Sequence, residues 1–262
     1  MEKIRVFLSD PQVLFREGIH FILSGEEDFE VTGEATGNEE ALPLIEANPP
    51  HIAILSLQDT ATDGCDITRR IKRNLPSVSV ILILEKKAEE KIFQAIKCGA
   101  SACLTKDIEP EYLLNIIRVV AQGSLPIIDE LFLPGLAAKV LIEFKDVATI
   151  NQQIDNILAN LNSKESLILS AIAGGASLEQ AAAKLDISED VIRRNLRMVQ
   201  NKLVNNELTH TVFEAAQRSL PMLIRGKGTR DAGTGQYVTR TEFIEFKESL
   251  MARFKSFVSD KS

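Results

Sequence analysis

Residues 163–203, SKESLILSAIAGGASLEQAAAKLDISEDVIRRNLRMVQNKL, read as three short helices whose boundaries are all marked. Glu165 to Ala173 is an apolar-periodic helix ended by Gly174-Gly175, because glycine takes the left-handed conformation that closes a helix. Ser177 opens a second helix, with Gln180 three residues on to complete a capping box. Leu185-Asp186-Ile187 makes a tight connection, and Ser188 caps a third helix whose first turn carries Glu189 and Asp190. In that helix Ile192, Leu196, Val199 and Leu203 recur at four, three and four, which predicts one buried stripe.

Winding the third helix at about 100° per residue puts Arg194, Arg197 and Asn201 opposite the stripe, with Arg193 on the flank and Lys202 at the side. A short helix with an apolar back and an arginine front is suited to a DNA major groove. A solvated basic face on an ordinary surface helix is the plain alternative. The two capped helices ahead of it, at helix-turn-helix spacing, favour the groove.

Taken as a unit, Leu161 to Thr209 resembles the LuxR/FixJ-type DNA-binding domain. The resemblance is carried by Glu165, Leu169, Gly175 with Ser177, Ala181-Ala182, Leu185 with Ile187-Ser188, Ile192, Lys202-Leu203 and Thr209. It implies base and backbone contacts at Arg193, Arg194 and Arg197. Glu189 and Asp190 depart from the family pattern; they suit the helix dipole but repel a nearby phosphate.

A chain of 262 residues, 45% hydrophobic, predicts two domains with cores of their own plus additional segments. Its net charge of −7 is unevenly divided. Residues 1–160 hold −10, residues 161–220 are neutral, and residues 221–262 carry eight Lys/Arg against five Asp/Glu, a balance of +3. An acidic total therefore does not exclude nucleic acid. Met1-Glu2-Lys3 runs straight into a strand-like stretch, so no signal peptide is expected. The apolar run from Val78 to Leu84 is too short for a bilayer, and a cytoplasmic protein is expected. Cys65, Cys98 and Cys103 are unpatterned and fit buried thiols in a reducing compartment better than a disulfide, a redox pair or a metal site.

Residues 1–125 alternate short apolar runs with helical patterns. Ile4–Leu8, Val31–Thr36, Ile52–Leu57, Val78–Leu84 and Ala102–Leu104 predict strands; Val13–Leu23, Asn38–Ala47, Cys65–Asn74, Glu89–Cys98 and Pro110–Gln122 predict helices. Five alternations imply an α/β doubly wound parallel sheet with its site at the strand carboxyl ends. Ile4-Arg5-Val6, Asp10, Arg16-Glu17-Gly18, Gly33-Glu34-Ala35, Asp63-Gly64, Gly99-Ala100 and Lys106-Asp107 resemble a CheY-like receiver domain of the NarL/FixJ response regulators. The resemblance implies a phosphorylation pocket, and most of that pocket is missing. The acceptor position falls on Ser56, the acidic pair has become Asp10-Pro11, the hydroxyl residue is Leu84 and the aromatic switch is Cys103; Asp10 and Lys106 remain. Mg²⁺ needs anionic oxygens, and a serine with no adjacent base is a weak nucleophile. A degenerate receiver with no metal and no cofactor is expected, with Lys106 bonded to Ser56 or Asp10. Asp59 and Asp63, on the following loop, are the only substitute acceptors in view.

Residues 126–160 predict a helical connector. Val140, Phe144, Val147, Asn151, Ile154, Leu158 and Leu161 alternate at four and three, a seam for a homodimer; the alternative is an amphipathic helix lying on its own receiver. Domain 161–220 is the all-α helix-turn-helix. Residues 221–262 hold a glycine-rich basic loop, Arg225 to Gln236, which lacks the order of a nucleotide loop, and a helix from Thr241 to Val258 with a phenylalanine-rich face. That face suits the DNA-binding domain, a partner subunit or, least well, a membrane surface.

The expectation is a transcription regulator without enzymatic activity, acting on double-stranded DNA at an inverted repeat. Its regulating input stays open between a protein, a small molecule in the vestigial pocket, dimerisation and abundance. A non-DNA adaptor that keeps the fold, and a phosphorelay regulator with an unorthodox acceptor, are the alternatives.

Overall fold

The computed structural model describes residues 3–58, 63–150 and 158–219. Its first part alternates β1 (Ile4–Ser9), α1 (Val13–Ser24), β2 (Phe29–Ala35), α2 (Asn38–Ala47), β3 (Ile52–Ser56), α3 (Gly64–Asn74), β4 (Ser79–Leu84), α4 (Glu89–Cys98), β5 (Ala102–Thr105) and α5 (Pro110–Ala121). The five strands form one parallel sheet in the order β2-β1-β3-β4-β5. This is the doubly wound parallel sheet expected from the alternation, in the CheY-like form that the resemblance implies, with strand and helix boundaries displaced by at most two residues.

Strands β3 and β4 read as unbroken apolar runs because both faces of the sheet are covered. Their alternate residues enter two cores. Ile52, Ile54, Ile81 and Ile83 pack with α1 and α5, while Ala53, Leu55, Val80 and Leu82 pack with α3 and α4. The second core does not stop at the receiver. It continues through Ile127 and Leu131 of a 3-10 segment (Pro126–Phe132) and Leu136, Val140 and Phe144 of α6 (Pro134–Ile150). From there it reaches Ile168, Leu169 and Ile172 of α7 (Ser163–Ala173), so Met1–His210 is one compact unit.

The C-terminal region is helical: α7, α8 (Leu178–Leu185) and α9 (Glu189–Ser219). Its punctuation follows the sequence. Gly175 takes φ +89°, and Ser177 and Gln180 bond reciprocally across the first turn of α8. A second capping box, Asn162 with Glu165, opens α7 and extends it two residues beyond the expected start. Asp186 closes α8 with φ 52°, a left-handed position that aspartate tolerates better than most residues. Ile192, Leu196, Val199 and Leu203 are all buried, as their spacing predicts.

The connector departs from expectation. In place of a helix running through Leu161, a 3-10 segment precedes α6, and residues 158–162 are not helical. Val140 and Phe144 point into the chain's own core, Phe144 with 5% exposure, because α6 packs on α4 and α7. The self-packing alternative describes this part of α6, and Phe144 is not available to a seam with a second copy. Leu158 is half-buried in the non-helical stretch. Asn151 and Ile154, the side chain of Val147, and the loop and helix expected within 221–262 lie outside the described residues.

Two glycines give opposite expectations for stability. A Cβ on Gly64 would sit 2.5 Å from the Ser56 carbonyl oxygen, so Gly64→Ala forces the α3 entry away from β3 and costs about 1–3 kcal/mol. Around Gly18, inside α1, there is open space, and Gly18→Ala gains about 0.5–1 kcal/mol from helix propensity. Thermal unfolding of the two variants checks both signs.

Candidate nucleic-acid interface and receiver pocket

At the carboxyl end of the sheet, β1 delivers Asp10, β3 delivers Ser56 and the end of β5 leads to Lys106. Arg16 holds the β1–α1 turn, donating to the Asp10 carbonyl at 2.7 Å and to Glu34 at 3.0 Å. The Lys106 ammonium lies 3.1 Å from Asp10 and 2.6 Å from Glu85, and 5.1 Å above the Phe15 ring. Of the two partners anticipated for Lys106, the structure takes Asp10 and adds Glu85. Glu85 follows β4 directly, and its role had no signal in the sequence because a glutamate there reads as ordinary surface charge. Its other contact is Gln12, whose side-chain amide donates to it at 3.0 Å.

Ser56 is 2% exposed, and its Oγ has no hydrogen-bond partner among the described residues. Its carbonyl accepts from Asn38, which also accepts from Ser9. This buried bridge between β1 and β3 had also passed as a plain helix start. Leu84 is buried and lends the pocket only its backbone carbonyl, which accepts from the Lys106 amide at 3.1 Å. The pocket holds one lysine between two carboxylates, so its cation is already engaged and the group carries a net negative charge, which disfavours a phosphoryl anion. Asp59 lies outside the described residues. Asp63 lines a separate cavity of about 320 Å³ between α3, α4, α6 and α9, where burial raises its carboxyl pKa against the pull of Lys91.

Two of the cysteines are held away from the thiolate form. Burial pushes Cys103 up to about 12, and the neighbouring Cys98 together with burial raises Cys65 far out of the reactive range. Among the described residues no group of three or more His, Cys, Asp or Glu is placed to hold a metal ion, and no helix is long and apolar enough to cross a membrane.

Helix α9 presents Arg194, Arg197 and Asn201 on the side opposite its buried stripe, with Arg193 on the flank; all four are exposed. Lys202 differs from the expected DNA contact. Its ammonium bonds Glu165 at 2.6 Å and the Asn160 carbonyl at 2.9 Å, inside the helical region. Glu165 is 2% exposed and also completes the Asn162 capping box, so Lys202 neutralises a buried carboxylate and is not free to meet a phosphate.

A second edge of α9 faces the receiver. Arg193 pairs with Asp129 and lies 5.4 Å over the Phe132 ring. Gln200, itself buried, donates to the Ala100 carbonyl at 2.9 Å. Val204 packs at Gly99, whose φ of +88° closes α4. Glu207 reaches Arg69 at 3.1 Å and Lys97 at 3.0 Å, and Lys97 also holds Glu143 of α6 at 2.6 Å. These residues recur at seven, four and three, so one edge of the arginine-bearing helix is clamped to the receiver over four turns. The sequence hid this edge because it mixes charged, amide and apolar side chains.

Removing the Lys202 ammonium should therefore act on folding. Lys202→Ala leaves the Glu165 carboxylate buried without its cation, a loss of about 3–5 kcal/mol for a pair broken on one side. Chemical denaturation monitored by circular dichroism checks this. A variant as stable as the parent would return Lys202 to the surface.

Comparison with known proteins places these features. The family model of the response regulator receiver domain matches residues 6–118. The uncharacterized transcriptional regulatory protein YxjL of Bacillus subtilis (strain 168) is 27% identical over 220 residues, covering 84% of this chain and 98% of that protein. The nitrate/nitrite response regulator protein NarL of Escherichia coli (strain K12) is 27% identical over 202 residues, covering 77% and 90%. Among solved structures, the signal receiver domain of the putative response regulator NarL from Mycobacterium tuberculosis is 31% identical, covering 47% of this chain and 99% of that one at a TM-score of 0.45. Residues 6–118 are thus a response regulator receiver domain, in a chain whose relatives include NarL and other transcriptional regulatory proteins.

Proposed function

We propose that this protein is a DNA-binding transcription regulator that works without aspartyl phosphorylation. One observation carries the DNA reading: Arg194 and Arg197 stand exposed on the side of α9 opposite its buried stripe, at the end of two capped helices. Arginine forks pair with guanine edges and phosphates, and the relatives named above are regulators of transcription. No catalytic group is needed for this role. Binding to inverted half-sites requires two copies, and the paired surface has to be other than Phe144, which the chain's own core takes up.

The clamp on the second edge of α9 means that the receiver and DNA compete for neighbouring faces of one helix. Its strength is modest. The Gln200 bond adds about 1 kcal/mol, and the two pairs of Glu207, with side chains 20–24% exposed, add about 1 kcal/mol each at most after solvent screening. Specific DNA sites gain about 4–10 kcal/mol over random sequence, enough to draw α9 off the receiver. The adaptor reading draws on the same clamp, which hides part of the helix; it is the outcome if no DNA is selected.

Phosphorylation independence rests on the pocket chemistry. Lys106 is held by Asp10 and Glu85, Ser56 is buried, and only one carboxylate of the expected metal set is present. Incubation with acetyl phosphate and Mg²⁺ should leave the intact mass unchanged; a gain of one phosphoryl group on residues 1–125 would overturn this part. Ser56→Asp alone should not restore the reaction, because the second acidic position is still Pro11.

For DNA, Arg194→Ala or Arg197→Ala should weaken binding to a selected site by about 1–3 kcal/mol. Gln200→Ala with Glu207→Gln should strengthen it by loosening the clamp. Fluorescence anisotropy on one selected duplex tests both directions, and an Arg194/Arg197 double variant that binds like the parent would remove α9 as the reader.

A further inference from the structure

Between the arginine side of α9 and helix α5 lies an open cleft of about 710 Å³, within the range of small-molecule sites. Its receiver wall combines apolar side chains, Tyr112, Ile116 and Val119 of α5 with Leu125 and Ile128 beyond it, with the polar Asn115 and Ser124. Its other wall carries Arg193, Arg194 and Arg197. The acidic groups at the cleft are mostly engaged. Asp129 pairs with Arg193 and Glu130 with Lys87 at 3.0 Å; Asp190 remains in the first turn of α9. Arg194 and Arg197 form no ion pair among the described residues.

Two guanidinium groups with no ion pair among the described residues, across from a wall that includes an exposed tyrosine, are a specific combination. Three arginines and three carboxylates line the cleft, but Asp129 and Glu130 are paired, which leaves the forks of Arg194 and Arg197 to match carboxylate or phosphate oxygens. The wall gives an apolar ring contact area that an inorganic ion cannot use. We propose that this cleft binds a small organic anion with an aromatic body, its anionic group on Arg194 and Arg197 and its ring against Tyr112, Ile116 and Val119. Because one wall is receiver and the other is α9, the site is complete only while the two are apposed. An occupant therefore holds α9 to the receiver and covers the arginines that DNA requires. This consequence for DNA rests on the function proposed above; occupancy of the cleft does not. It gives a receiver without phosphoryl chemistry a chemical input at a place remote from the Asp10 pocket.

The test is calorimetric titration of the full chain with phenyl phosphate, against inorganic phosphate and benzyl alcohol as partial mimics. Phenyl phosphate should bind saturably at one site, at least tenfold tighter than either mimic. Arg194→Gln with Arg197→Gln, both exposed and outside every core, should weaken it tenfold or more; Tyr112→Ala should weaken it several-fold. Absence of saturable binding at millimolar ligand, equal binding by the arginine variant, or equal binding of benzyl alcohol or inorganic phosphate would each overturn the site. Anisotropy on selected DNA separates the two claims. Phenyl phosphate should compete with DNA; arginine-dependent ligand binding without competition would retain the site and refute its coupling to α9. DNA selection without ligand binding would leave the regulator reading standing and remove the site.

Discussion

Helix α9 belongs to two packing arrangements at once, and the described structure depends on that sharing. Its stripe of Ile192, Leu196, Val199 and Leu203 closes the core of the helical region. Each such side chain contributes about 1.5–3 kcal/mol on burial, so this attachment is permanent on the scale of the domain. The adjoining edge, Gln200, Val204 and Glu207, meets the receiver through a few polar bonds and one small apolar contact. One side of the helix is held by an apolar stripe and the other by a few polar bonds. The DNA reading proposed above uses this asymmetry, because a reader that detached from its own domain would unfold it, and one that never left the receiver would not reach DNA.

The receiver pocket repeats the theme of a cation engaged from within. Lys106 and Asp10 neutralise each other, and Glu85 adds a second carboxylate on the same ammonium, so the group is net negative and its lysine engaged twice. Ser56, Pro11 and Leu84 are consistent with the phosphorylation-independent reading proposed above, because none of them offers a carboxylate. What survives is the sheet, with Asn38 and Arg16 holding its carboxyl end in shape.

Much of this was legible in the chain. The alternation of apolar runs gave the parallel sheet, since a sheet covered on both faces must bury consecutive residues, as Ile52–Ser56 does. Capping residues gave the helix ends, because Ser177 and Gln180 act within one turn and need no distant partner. Long-range polar pairs were not legible. Lys202 has the look of a DNA contact because its buried partner, Glu165, lies 37 residues away. Nothing local marks Glu85 or Glu207 either, since their cations, Lys106, Arg69 and Lys97, are distant in the chain. In α6 the spacing of Val140 and Phe144 marks a buried face, but periodicity does not identify what covers it; both residues face α4 and α7.

The account stands or falls on whether this chain selects DNA. Affinity capture of fragmented genomic DNA on the full-length protein at low salt, followed by sequencing of what is retained, measures that directly. The account predicts enrichment of a short inverted repeat with half-sites about one helical turn apart. Retention of fragments without any shared sequence, or no retention above a bead control, would contradict it.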